Sequence, residues 1–135
     1  MESYYDILIR LVAAALVGGI IGLEREMLHK PAGIRTHMLV ALGSAVFATM
    51  TLEIAPVEIA RVVAGVITGI GFLGAGTIFK SKDDVHGLTS AASIWVVAGI
   101  GLCVGLGLYF LSTIATILAL IILHIVKIGP FRNQD

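Results

Sequence analysis

"VVAGVITGIGFLGAGTIF", residues 62–79, holds five glycines and no charged residue. Inside it "GIGFLG", residues 69–74, has the G-x-G-x-x-G spacing of a dinucleotide-binding turn. That fingerprint requires a strand before it, a helix after it and an acidic residue about 20 positions on. None of that context is present, because the flanking residues continue the same apolar run. The stretch reads instead as a membrane-spanning helix, since an apolar segment of about 20 residues at 1.5 Å rise crosses a hydrocarbon core of about 30 Å.

Composition extends that reading to the whole chain. Of 135 residues 58% are hydrophobic and only 13% charged, against about 25% charged in an average soluble domain. From Gly87 to Val126 there is no Asp, Glu, Lys or Arg. One helix of that length would be about twice too long for a single crossing, so it divides, most naturally at "VGLGLY" where Gly105 and Gly107 can turn the chain. Two further spans lie upstream, Tyr4 to Leu23 and Thr36 to Leu52. Pro31 and Gly33 mark the charged connection between those two, and Pro56 breaks the linker after the second. The expected fold is all-α: a polytopic bundle of five transmembrane helices over residues 1–127, with 128–135 a short tail and no separate soluble domain. "MESYYD" lacks the positive start of a secretory signal, so the first span is expected to be retained.

Charge asymmetry orients the bundle. With five spans, Arg25, Lys30, Arg35, Lys80, Lys82, Lys127 and Arg132 fall on one side and only Arg10 and Arg61 on the other. Basic residues accumulate in cytoplasmic loops, which places the N-terminus outside and the C-terminus in the cytoplasm. Asp6 and Arg10, four apart with the acid first, are expected to pair at the interface.

Lipid gives helices no hydrophobic reason to associate, so they pack through small residues. On the third helix Gly65, Gly69 and Gly76 share one stripe, while Gly71 and Gly74 lie nearly opposite. Close approach from two flanks makes this helix the expected centre of the bundle. An unwound helix lining a cavity is the alternative reading of the same glycines. Gly18 and Gly22 form a similar seam on the first helix, with Ala14 in register. "GGIIGLE" (18–24) and "GIGFLGAG" (69–76) each close a span with G-x-x-G, and each is followed by a charged loop and then "GIRTH" (33–37) or "GLTSA" (87–91). The first helix pair is thus expected to recur as the second, with both loops on one face.

Ionisable groups at helix ends within a membrane need a partner or a function. Glu24 and Arg25 end the first span, Arg35, Thr36 and His37 open the second, and Asp84, Thr89 and Ser90 lead into the fourth. Together they make a candidate polar cluster on the cytoplasmic side. Trp95, deeper than an aromatic belt residue, is expected to pack and to find a partner for its N–H. No nucleophile, acid and base arrangement is visible, the histidines lack zinc spacing, and Cys103 stands alone. The chain is therefore expected to be no enzyme, to hold no metal or cofactor, and, with few basic residues, to bind no nucleic acid.

Four ordered stretches carry a family resemblance: "GGIIGLERE", "PAGIRTHMLVALGSA", "GIGFLGAGTIF" and "GLTSAASIWVVAGIG". Together they resemble the N-terminal membrane domain of the MgtC/SapB family over about Val17 to Ile125. The resemblance implies a bacterial inner-membrane protein, linked in some members to magnesium homeostasis, virulence within host cells and regulation of membrane potential or of other membrane proteins. Matching positions are Glu24, Arg25 and Glu26; Gly33, Arg35, Thr36 and His37; Gly71, Gly74 and Gly76; and Gly87, Thr89, Ala91, Ala92 and Trp95. Many members continue into a cytoplasmic regulatory domain, absent from this sequence, and many show Asn-Val-Arg where this chain has Asp84, Val85 and His86. The expected partners are the lipid bilayer, a second copy in a homodimer, and another membrane protein. A small oligomeric cation transporter or channel, with Glu24, Arg35, His37 and Asp84 at its mouth, is the alternative.

Overall fold

The computed structural model describes residues 3–81 and 84–125. Among them the chain forms five α-helices and one short hairpin: α1 (Tyr4–Met27), α2 (Ile34–Ile54), α3 (Ile59–Ala75), β1 (Phe79–Ser81), β2 (Asp84–His86), α4 (Leu88–Gly105) and α5 (Tyr109–Ile125). A 3-10 turn at Pro56–Glu58 carries the chain from α2 into α3. The first four helices, the 3-10 turn counted with α3, are long and apolar enough to cross a membrane; α5, 17 residues as described, is apolar but shorter.

Local chemistry sets the ends of α1 and α2. The Ser3 hydroxyl accepts from the Tyr5 N–H and starts α1. Glu24, Arg25 and Glu26 carry α1 one turn past Leu23. It stops in a double closure: Lys30 N–H donates to Arg25 O at 3.0 Å and His29 N–H to Glu26 O at 2.9 Å. His29 takes the left-handed backbone (φ 54°) that glycine usually supplies there. Gly33 gives α2 no side-chain cap, and Glu26 reaches across to accept from the Ile34 N–H at 2.7 Å. One carboxylate therefore ties the two helices of the hairpin together.

The third helix ends at Ala75, not Phe79. The Thr77 hydroxyl donates to Gly74 O at 2.8 Å, offering the last turn a partner other than the next backbone N–H. "FKS" then pairs antiparallel with "DVH", Phe79 opposite His86 and Ser81 opposite Asp84, and the Phe79 and His86 rings stack at 5.2 Å. Gly87 follows with φ 85°, where a side chain would strike the Thr77 carbonyl.

The centre of the bundle is α4. It packs against α1, α2, α3 and α5 and buries Ser93, Val97, Gly101 and Gly105 along one four-residue stripe. Across from that stripe lie Ala41, Ala45 and Ala48 of α2. A Cβ added at Gly101 would collide with the Ala41 carbonyl, and one at Gly105 would come within 2.8 Å of both Ala45 Cα and Ala48 Cβ. Since Ala41 meets Gly101 and Ala45 meets Gly105, α2 and α4 run in the same direction. Ala14, Ile21, Val40, Ile94, Val97 and Ile100 fill the core around this contact.

The expected central position of the third helix is thereby corrected. α3 buries only Ile70 and Gly74, and Phe72 is 85% exposed. Its glycines leave it thin, but among the described residues nothing comes within 4 Å of the space a side chain would take at Gly65, Gly69 or Gly71. It is nonetheless a continuous α-helix from Ile59 to Ala75, not an unwound segment.

Candidate functional site

The two loops on the α1–α2 and α3–α4 connections lie side by side. Leu28, His29, Lys30 and Pro31 of the first and Phe79, His86 and Gly87 of the second line one cavity of about 250 Å³, with Thr89 and Ser90 at its base.

Beneath that cavity the polar residues of three helices meet. His37 is fully buried (0% exposed). Gly18 and Gly22 of α1 make room for it: a Cβ at Gly18 would lie 2.5 Å from the His37 carbonyl oxygen, and one at Gly22 would lie 2.9 Å from His37 Cβ. The imidazole Nδ1 is 2.8 Å from Gly33 O, so it carries the proton and donates. Nε2 is 3.0 Å from Ser93 Oγ on α4, and that hydroxyl is 2.8 Å from Ser90 O. Arg25, 2% exposed, donates from Nε to Glu24 Oε2 at 2.6 Å, while one of its terminal nitrogens is buried without a hydrogen-bond partner. An ion pair so far from water needs most of its hydrogen bonds met internally.

The structure thus gathers Glu24, Arg25, His37, Thr89 and Ser90 at one end of the bundle. Arg35 and Thr36 are exposed on the other side of α2. Asp84 lies on β2, with its side chain outside the described residues. Ser93, noted in the sequence only among hydroxyls entering the membrane, proves to be the partner of His37. Among the described residues no three of His, Cys, Asp or Glu converge as metal ligands would.

The glycine positions divide sharply. Gly18 and Gly22 press on α2, Gly74 lies at ordinary contact distance from Ala91 (3.5 to 3.8 Å), and Gly76 meets only carbonyls of its own last turn. Gly65, Gly69 and Gly71 have nothing within 4 Å. Trp95 is 52% exposed. Gly43, Gly65 and Gly69, with Ser44 and Phe47, line an open groove of about 580 Å³ between α2 and α3.

At the opposite end, Arg10 does not pair with Asp6, which is exposed. It donates to the Gly105 carbonyl at 2.7 Å, and Thr49 Oγ1 donates to the same oxygen at 3.1 Å. The last carbonyls of a helix lack intrahelical donors, so a cation there is well used. Gly107, at φ 77°, makes the following turn.

This arrangement, glycine seams under a buried histidine with a charged pair at the helix end, involves the very motifs that carried the resemblance. The pattern of the MgtC family matches residues 11–129. The chain belongs to the MgtC family. Among its relatives, Escherichia coli K12 YhiD, whose name marks it as a candidate magnesium transporter, is 39% identical over 96% of this chain and 65% of its own length. Protein MgtC of Salmonella typhimurium LT2 is 42% identical over 86% of this chain and 50% of its own length. Protein SapB of Bacillus subtilis 168 is 39% identical over 96% and 62%. The chain therefore spans less than two thirds of the length of each. No solved structure matches it. As an MgtC-family chain with four span-length apolar helices, it is a multi-pass membrane protein.

Proposed function

We propose that this MgtC-family chain is a non-enzymatic protein of the bacterial inner membrane, with five spans and its N-terminus outside, that modulates magnesium homeostasis or membrane potential through helix contacts within the bilayer. It works as a homodimer. The observation that carries this reading is the unfilled flank of α3. Gly65 and Gly69 line the open groove between α2 and α3, with nothing within 4 Å of the space a side chain would take, and small residues are what membrane helices present to a neighbour. The name of the E. coli K12 relative supports the link to magnesium.

Replacing Gly65 and Gly69 together with leucine tests it. The α2–α3 groove has room, so the variant folds, and cross-linking in native membranes should show the dimer lost along with any effect on magnesium-limited growth. A dimer unchanged in the double variant would overturn the reading.

The buried Glu24–Arg25 pair beside His37 favours a second reading, a small oligomeric cation transporter. Magnesium flux into liposomes, lost in Glu24→Gln, would decide for it; no flux under any gradient would leave the regulatory reading.

A further inference from the structure

His37 stands in a linear chain of three hydrogen-bond links whose two outer groups can only accept. Gly33 O is at one end, Ser90 O at the other, with Nδ1, Nε2 and Ser93 Oγ between them. Three links need three protons. A neutral imidazole brings one N–H and serine one O–H, which makes two. With the ring neutral and Nδ1–H on Gly33, the Ser93 hydroxyl must choose. It either donates to Nε2 and abandons Ser90 O, or donates to Ser90 O and leaves two acceptors facing each other at 3.0 Å. One more proton on the ring closes every link: Nε2–H donates to Ser93 Oγ, and the hydroxyl donates to Ser90 O.

We propose that His37 is a proton-binding site inside the membrane-spanning bundle, and that Ser93 is the hydroxyl that turns from donor to acceptor when the proton arrives. The ligand is the proton itself. Its place is the crossing of three helices, so its occupancy alters the α2–α4 contact directly. From α1 the charged groups at this end of the bundle are Glu24 and Arg25, paired with each other at 2.6 Å. From α4 the facing groups are Ser90 and Ser93, neither of which titrates. On α2 itself the neighbouring charge, Arg35, is exposed.

Approach from water is short. Ser90 lines the cavity between the two loops, together with His29, Lys30 and His86, and Ser93 lies one helical turn deeper. The site is independent of whether the chain regulates or transports.

The test is ¹⁵N NMR of histidine-labelled full chain in lipid bilayers, with the His37 signals assigned by difference against His37→Gln. Between about pH 4 and 9 the ring should pass from the neutral Nδ1–H tautomer to the imidazolium. Ser93→Ala should weaken proton binding by roughly tenfold, because a hydrogen bond to a charged donor is worth more than one to a neutral partner. Ser93→Thr keeps the hydroxyl, has room for its methyl in the groove Ser93 shares with Ala92, Ala115 and Ala119, and should restore the wild-type midpoint. A His37 ring that holds one protonation state throughout would overturn the site. A midpoint equal in wild type and Ser93→Ala would overturn the part given to Ser93. The wild-type titration stands even if a variant does not fold.

Discussion

The hairpins α1–α2 and α3–α4 each set a glycine near the end of one helix against the next helix, and they pack there to different tightness. In the first, a Cβ at Gly22 would lie 2.6 Å from Ile34 Cα and 2.9 Å from His37 Cβ; in the second, a Cβ at Gly74 would lie 3.5 Å or more from Ala91. Aligning Gly22 with Gly74 and Gly33 with Gly87 sets His37 against Ala91, so equivalent positions meet in both halves. The first half places an imidazole at that meeting point and closes around it; the second places a methyl group and stays open. A glycine in a membrane helix therefore has two distinct meanings. Where a neighbour occupies the space of the missing side chain, the residue is irreplaceable; where nothing does, it is only an opportunity.

Substitutions can break or sharpen that contrast. Gly101→Leu should have the largest effect, because the Ala41 backbone already fills the space a side chain needs. A loss of about 3 kcal/mol or more, at or beyond the upper end of overpacking costs, should be visible as unfolding in a denaturing-detergent titration, whereas Gly65→Leu should leave the same curve unmoved. Gly22→Ala should cost about 1 to 3 kcal/mol by the same assay, since the Ile34 Cα and Gly33 carbonyl oxygen beside it are backbone atoms and cannot step aside. Gly74→Ala should be smallest, within about 0.5 kcal/mol of wild type, as the added methyl gains ordinary contact and helix propensity. Equal losses for Gly22→Ala and Gly74→Ala would erase the distinction between the two hairpins.

The membrane class was plain in the sequence because the bilayer tolerates few charges, and the 40 residues from Gly87 to Val126 have none. The centre of the bundle was not. A run of glycines says that close approach is possible but not who approaches, and α3 drew attention by its number of glycines while α4 held the tighter stripe. That stripe, Ser93, Val97, Gly101 and Gly105, was present at four-residue spacing, as was Ala41, Ala45 and Thr49 facing it. The hairpin after α3 was hidden for another reason: two strands of three residues give too short an alternation to stand out from a charged loop. Of the polar cluster, Glu24, Arg25 and His37 were legible from their place at helix ends. The His37–Ser93 bond was not, since its partners are 56 residues apart and nothing local marks one serine over its neighbours. Arg10 was misassigned because a helical i, i+4 partner is always in view, while the Gly105 carbonyl comes from 95 residues away.

Both termini of α4 are gripped by polar bonds from other helices. Ser93 is held to His37 near its start, and Gly105 O is held by Arg10 and Thr49 at its end. These anchors sit 12 residues apart, about 18 Å along the axis. A shaft clamped at two stations cannot slide lengthwise without breaking one of them.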